Sequence, residues 1–265
     1  MKRIALTLCL LFSVTALTHI QVLAQSTTGS IQGTVKDRAS APIPGARVTA
    51  HDAATNITQT GTTGEDGVFV VPQLPPGRYT VTVEKAGFRK FTKTGVILSA
   101  ADRLSAGTFT LEIGEVTEEI TVTADAGALQ IQSESGERSA VITGSQIRDL
   151  ALNGRDVLDL MKLIPGITSD FDGTVSDPGN LSSFNINGAR GNQKEFTVDG
   201  SSNVDTGSNG GRHVTINPDA IAEIKVLTSN YQAEFGKAGG GFIQVVTRGG
   251  TRRFSGGARF FHRHE

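Results

Sequence analysis

Chemistry-bearing residues are sparse in this 265-residue chain, and their spacing argues against most reactions. His262 and Glu265 have the His-x-x-Glu spacing that supplies two zinc ligands. They stand at the extreme C-terminus, with no second ligand segment to complete a tetrahedral set. Asp170, Asp172 and Asp177 lie in the loop "DFDGTVSD", which offers carboxylate oxygens to calcium but lacks the remaining ligands of a calcium loop. Gly239-Gly240-Gly241 is not a phosphate cradle, because no Lys-Ser/Thr pair follows it; a tight turn into the next strand is expected instead. No nucleophile, base and acid form a complete arrangement, so no enzyme activity, metal or cofactor is expected.

What remains is recognition by main chain. In "GEVTEEITVTADAGALQ" one β-prone island, Glu119, Ile120, Thr121, Val122 and Thr123, stands in an acidic, Ser/Gly-bearing stretch. It reads either as the last strand of the preceding domain running into a linker, or as a free extended segment. A free segment could add itself to another protein's sheet, with backbone hydrogen bonds giving affinity and Ile120 and Val122 giving specificity.

The elements that must position such a segment begin with an export signal. Residues 1–24 carry Lys2 and Arg3, an apolar run from Ile4 to Leu17, and Val22-Leu23-Ala24, which predicts cleavage before Gln25. Cys9 is the sole cysteine, so the exported chain has no disulfide framework and must build ordinary cores. Losing Lys2 and Arg3 takes the basic count from 25 to 23 against 26 acidic residues, a net charge of about −3. That balance argues against nucleic acid as a partner. The 32 glycines and absence of tryptophan point to a loop-rich, strand-rich, mainly β fold.

From residue 27 to 115, short alternations of apolar and polar residues predict a seven-stranded β-sandwich. Ile31, Gly33 and Val35 share one face, Val48 and Ala50 point inward, a strand covers Val68 to Val71, and Tyr79, Val81 and Val83 line another. "TKTGVILSA" and "RLSAGTFTLEI" supply two more. Tyr79 and the few phenylalanines read as core rather than as an exposed sugar-binding platform.

After a linker at 116–138, residues 139–250 read as a small α+β domain with a mixed sheet. Thr143 and Gln146 have capping-box spacing. Asn153 is placed to cap a helix whose buried positions are Val157, Leu160, Met161 and Ile164, stopped by Pro165-Gly166. Strands are expected at Phe184 to Asn187, Phe196 to Asp199, Ile224 to Leu227 and Phe242 to Thr247. Asn217 and Pro218 open a one-turn helix.

Two resemblances follow from these stretches. "IQGTVKD....PIPGARVTAHD" with "TGEDGVFVVPQLPPGRYTVTVEKAGF" resembles the carboxypeptidase regulatory-like domain, an immunoglobulin/transthyretin-like sandwich also grouped with carbohydrate-binding-like folds. "NGRDVLDLMKLIPGI", "FNINGARGNQKEFTVDGSSNVD" and "PDAIAEIKVLTSNYQAEFGKAGGGFIQVVTRGG" resemble the plug of TonB-dependent outer-membrane receptors, most closely the Oar-like type. The resemblance implies a TonB box at Glu119 to Thr123 and TonB, through its periplasmic C-terminal domain, as a partner. It also implies a transported ligand of unknown identity and location at the outer membrane, with plug and sandwich on the periplasmic side.

A plug sits in a polar barrel lumen, so Arg190, Lys194, Asp199 and Glu234 are expected to contact the barrel wall. The loops Asp170 to Ser183 and Gly200 to Arg212 are expected to reach the ligand side. Residues 251–265, "TRRFSGGARFFHRHE", read as the first stave of a barrel that needs roughly 22 strands, the rest being absent. The chain is therefore expected to be the front of a truncated transporter, soluble in the periplasm by itself. The alternative is an exported carbohydrate-binding or adhesin-like surface module.

Overall fold

The computed structural model describes residues 27–114, 119–123, 136–150, 152, 155–169, 180–254, 256, 257 and 260. The leader, Asn153, the three aspartates of the 170–177 loop, and the His262/Glu265 pair lie outside them.

Strands β1 (Gly29–Asp37), β2 (Arg47–His51), β3 (Thr58–Thr62), β4 (Val68–Leu74), β5 (Gly77–Glu84), β6 (Lys90–Leu98) and β7 (Arg103–Leu111) build the expected sandwich. One sheet has the order β4-β1-β7. The other runs β3-β2-β5-β6 and continues into β8 (Glu119–Thr123). The alternation read from sequence sets the inner faces: Ile31, Val35, Val48, Ala50, Val71, Val81 and Val83 are fully buried, and Tyr79 is 1% exposed. Phe69, Phe91 and Phe109 pack edge to face between the sheets, with centroids 5.5 and 5.4 Å apart. The strand that sequence reading passed over is β3, "TQTGT". It is polar and almost wholly exposed, and only its register with β2 makes it a strand.

The second domain is built on a five-stranded mixed sheet, ordered β13-β12-β15-β14-β9. Its strands are β9 (Arg138–Thr143), β12 (Lys194–Val198), β13 (Ser201–Ser202), β14 (Ile221–Ser229) and β15 (Gly241–Thr247); β12 and β15 run parallel. A hairpin of β10 (Ile167–Ser169) and β11 (Phe184–Ile186) flanks it. The predicted capping box closes α1 (Gly144–Asp149): Thr143 N–H donates to Gln146 Oε1 at 2.9 Å, and Gln146 N–H donates back to Thr143 Oγ1. Asn217 caps a single 3-10 turn at Pro218–Ala220, also as expected.

The longer helix differs from the expectation. Val157–Leu163 is a 3-10 helix capped by Asp156, whose carboxylate accepts from Leu158 N–H. Asp156 sits one residue before the first helical position, so its oxygen reaches that orphan donor directly. Val157, Leu160, Met161 and Ile164 are all buried nonetheless.

Register makes the plug-like sheet two-faced. Phe196, Ile243, Val226 and Ala140 stand opposite one another across four strands, as do Val198, Val245, Ile224 and Ile142. These two apolar rows pack against the 3-10 helix, α1 and the hairpin. The opposite face carries the row Thr197, Gln244 and Lys225, and next to it Glu195, Phe242 and Leu227. Much of that polar face is nevertheless buried: Lys225 is 0% exposed, and Thr197 and Gln244 are each 1% exposed.

The run from 251 onward forms no strand among its described residues, and Phe254 and Phe260 are fully exposed. A barrel strand takes its hydrogen bonds from two neighbours, and no neighbouring strand is present among the described residues.

Candidate functional site

The island at 119–123 is a strand, and its partner is the sandwich. β8 pairs in parallel with β6, Lys90 opposite Glu119, Phe91 opposite Ile120, Thr92 opposite Thr121, Lys93 opposite Val122 and Thr94 opposite Thr123. Pairing stops before Gly95, whose φ of 79° and the adjoining bulge turn β6 away. Ile120 is half-buried, whereas Thr121, Val122 and Thr123 are exposed. β8 is thus held mostly by main chain. In the structure the island is an added edge strand of the sandwich.

The two domains meet at a buried ionic cluster. The turn between β6 and β7, Ser99 to Asp102, lies against β14. Lys225 Nζ is 2.5 Å from Asp102 Oδ1 and 2.8 Å from Glu137 Oε1, and the side chains of all three are buried. Glu223 Oε1 accepts the Ala100 N–H at 2.6 Å. Burial pushes the Glu223 carboxyl above its ordinary value, with the nearby Asp102 charge acting in the same direction. Ala101 packs on Leu227, Phe235 and Phe242 beside this cluster. One cation therefore serves carboxylates from the sandwich and from the segment leading into β9. Sequence reading missed this cluster. In "IAEIKVL" the period-two alternation marks Glu223 and Lys225 as a polar face, and nothing local says that the face is covered.

The four residues expected against a barrel wall are dispersed. Arg190 and Glu234 are exposed. Asp199, at φ 47°, accepts from Thr247 N–H at 2.9 Å and Thr247 Oγ1 at 2.7 Å, tying the end of β12 to the end of β15. Lys194 is turned inward and only 4% exposed. Its ammonium donates to the Phe184 and Gly191 carbonyls and sits 4.2 Å over the Phe184 ring. Burial lowers its pKa to about 8. The position shares the face of Phe196 and Val198 on β12, and the carbonyls of Phe184 and Gly191, not solvent, receive the side chain.

The 200–212 loop is more ordered than its composition suggests. Asp205 accepts from the backbone N–H groups of Gly207, Ser208, Gly210 and Gly211 and from Ser208 Oγ. These donors hold its carboxyl well below the usual carboxylate range. The last two glycines of "GGGF" act through close approach: a Cβ at Gly241 would meet the Leu227 carbonyl at 2.7 Å, and one at Gly240 the Gln193 carbonyl at 2.9 Å. All five sandwich aromatics are buried or half-buried, so the sandwich presents no exposed aromatic platform for a sugar. Among the described residues no group of three His, Cys, Asp or Glu side chains is placed to hold a metal, and no helix is long and apolar enough to cross a membrane.

Comparison with known proteins gives two domain matches. Residues 30–112 match the carboxypeptidase regulatory-like domain and residues 132–242 the TonB-dependent receptor plug domain. The chain is 30% identical over 244 residues to the TonB-dependent transporter Oar of Myxococcus xanthus, covering 88% of this chain and 21% of that protein. The chain thus spans about a fifth of the relative's length. Among solved structures, the ferric enterobactin receptor of Pseudomonas aeruginosa aligns over 42% of this chain and 17% of its own, at 22% identity and a TM-score of 0.30. A cohesin–X-dockerin complex from Acetivibrio cellulolyticus aligns over 32% of this chain and 58% of its own, at 22% identity and a TM-score of 0.26.

Proposed function

We propose that this chain, a carboxypeptidase regulatory-like domain followed by a TonB-dependent receptor plug domain, is the periplasm-facing front of a TonB-dependent outer-membrane transporter. The observation that carries the reading is the order and extent of the two matched domains, reproduced in the Oar alignment across 88% of the chain. In this reading the 139–250 domain gates a barrel lumen, and an unidentified ligand enters from outside. TonB, engaging residues 119–123, supplies the pull that shifts the plug. No bond in the ligand is made or broken.

The two-faced sheet suits a gate of this kind. A gate must hold together under load yet move without exposing its own apolar core. The apolar rows stay inside the domain, whereas the contact with the sandwich is made by Lys225, Glu223, Asp102 and Glu137 together with a small apolar patch. Polar and charged groups can exchange partners with water when the contact opens, so parting it costs less than parting an equal apolar area. Gln244 and Thr197 support the same view, since their buried side-chain polar atoms have no hydrogen-bond partner among the described residues. Arg190 and Glu234, exposed on the plug, are the residues we assign to contact with a barrel wall.

Calorimetric titration of the TonB C-terminal domain with a peptide spanning residues 115–126 tests the coupling. Saturable binding, weakened at least tenfold by Ile120→Pro, is expected, because proline removes a ladder donor. No heat of binding at millimolar peptide would remove TonB engagement at this segment from the proposal.

A further inference from the structure

We infer that β6 is an intramolecular dock for residues 119–123, and that the docked segment is the low-affinity form from which an external strand-adding partner must displace it. The inference rests on the reading of 119–123 as the TonB-engaging segment. It goes beyond that reading by giving the sandwich a role of its own, which is to withhold the segment.

Three observations carry it. First, the docked segment has little side-chain anchorage. Ile120 is half-buried, the three residues after it are exposed, and pairing with β6 covers five positions. Detaching β8 therefore breaks a short main-chain ladder and leaves the sandwich core, centred on Phe69, Tyr79 and Phe109, intact.

Second, β6 is fitted to survive as an edge. Exposed edges are usually protected by lysines, inward-pointing charges and bulges, and β6 has all three. Lys90 lies 3.8 Å from Glu84 on the neighbouring strand. Lys93 turns inward, donating to the Ala106 carbonyl at 2.7 Å and lying 5.9 Å from the Phe109 ring. The bulge opposite Tyr79/Val81, with Gly95 at φ 79°, ends the straight portion after five residues. A strand meant to be covered permanently has no need of such protection.

Third, docking withholds what a partner needs. Recognition by strand addition uses the backbone edge and alternate side chains. One edge of β8 is taken by β6, and Ile120, one of the two alternate apolar residues, is half-covered.

The test uses the chain from Gln25 onward, which contains no cysteine. Thr94→Cys/Thr123→Cys places a pair in register on adjacent strands, within the Cα separation a disulfide accepts. Thr94→Cys/Glu119→Cys places the same chemistry four residues out of register, roughly 13 Å further along the strand. The in-register pair is expected to close at least tenfold faster; equal rates overturn the dock. Binding of the purified TonB C-terminal domain is then compared between the oxidised and reduced in-register chain, with the Thr123→Cys single variant as control. At least tenfold weaker binding when oxidised is expected. Equal binding overturns the withholding claim, since the partner would then be adding at the open edge of β8. Failure of the free 115–126 peptide to bind at all sinks both the coupling reading and the withholding claim, while the closure rates still decide whether β6 holds the segment.

Discussion

Replacing Lys225 with methionine isolates the interdomain cluster. Methionine matches the unbranched stem, so the change removes the charge without opening a large cavity. In the parent, the ammonium is 2.5 and 2.8 Å from two carboxylates, and all three side chains are buried. At an effective dielectric near 20, each contact is worth on the order of 6 kcal/mol before desolvation is subtracted. Desolvation costs several kcal/mol per ion, so the net value of the assembled cluster is small; the cost of removing one member is not. Lys225→Met leaves Asp102, Glu137 and Glu223 as buried carboxylates without their cation, and a loss of about 3–5 kcal/mol is expected. With a urea slope of about 2.5 kcal/mol/M, the midpoint should fall by roughly 1–2 M. Lys225→Met/Asp102→Asn/Glu137→Gln, which removes the stranded charges as well, should regain most of that loss. A single variant within about 0.3 M of the parent, or a triple variant no better than the single, would refute the claim that the cluster is a matched set of buried charges.

Three further outcomes follow from the same geometry. Burial raises the Glu223 carboxyl above its ordinary 4.5, so its proton stabilises the fold fully below that value and the stabilisation is lost as pH climbs through the raised one. Glu223→Gln keeps an acceptor for the Ala100 N–H and should flatten this decline in thermal midpoints taken from pH 4 to pH 8; a parallel decline in the variant would contradict it. Burial lowers Lys194 from 10.5 to about 8, so the unfolded chain binds more protons across that window and stability should rise with pH there. Lys194→Met should lack the rise, whatever its effect on the absolute midpoint, in denaturant titrations at pH 8 and pH 10. Gly241→Ala puts a Cβ 2.7 Å from the Leu227 carbonyl at a φ of 149° and should cost about 2 kcal/mol or more in urea unfolding. A neutral result there would mean that β14 and β15 can part locally without penalty.

The sequence alone determined much of this protein, wherever the information is local. Alternation fixed which residues of β1, β2 and β5 face a core, because the side-chain period of a strand is set by backbone geometry. The caps at Thr143 and Asn217 were readable for the same reason: a short polar side chain meets donors two or three residues away. Tertiary structure decided what lay on the far side of each element. β3 has no apolar alternation and is a strand only because β2 offers it an edge. The 119–123 island could be read equally as bound or free until β6 was seen beside it. Glu223 and Lys225 alternate with core residues as exposed positions do, yet the Ser99–Asp102 turn, more than a hundred residues earlier, covers them. A strand's pattern reports the direction of its side chains, whereas burial depends on which distant surface arrives, and that is set by the packing of the whole chain.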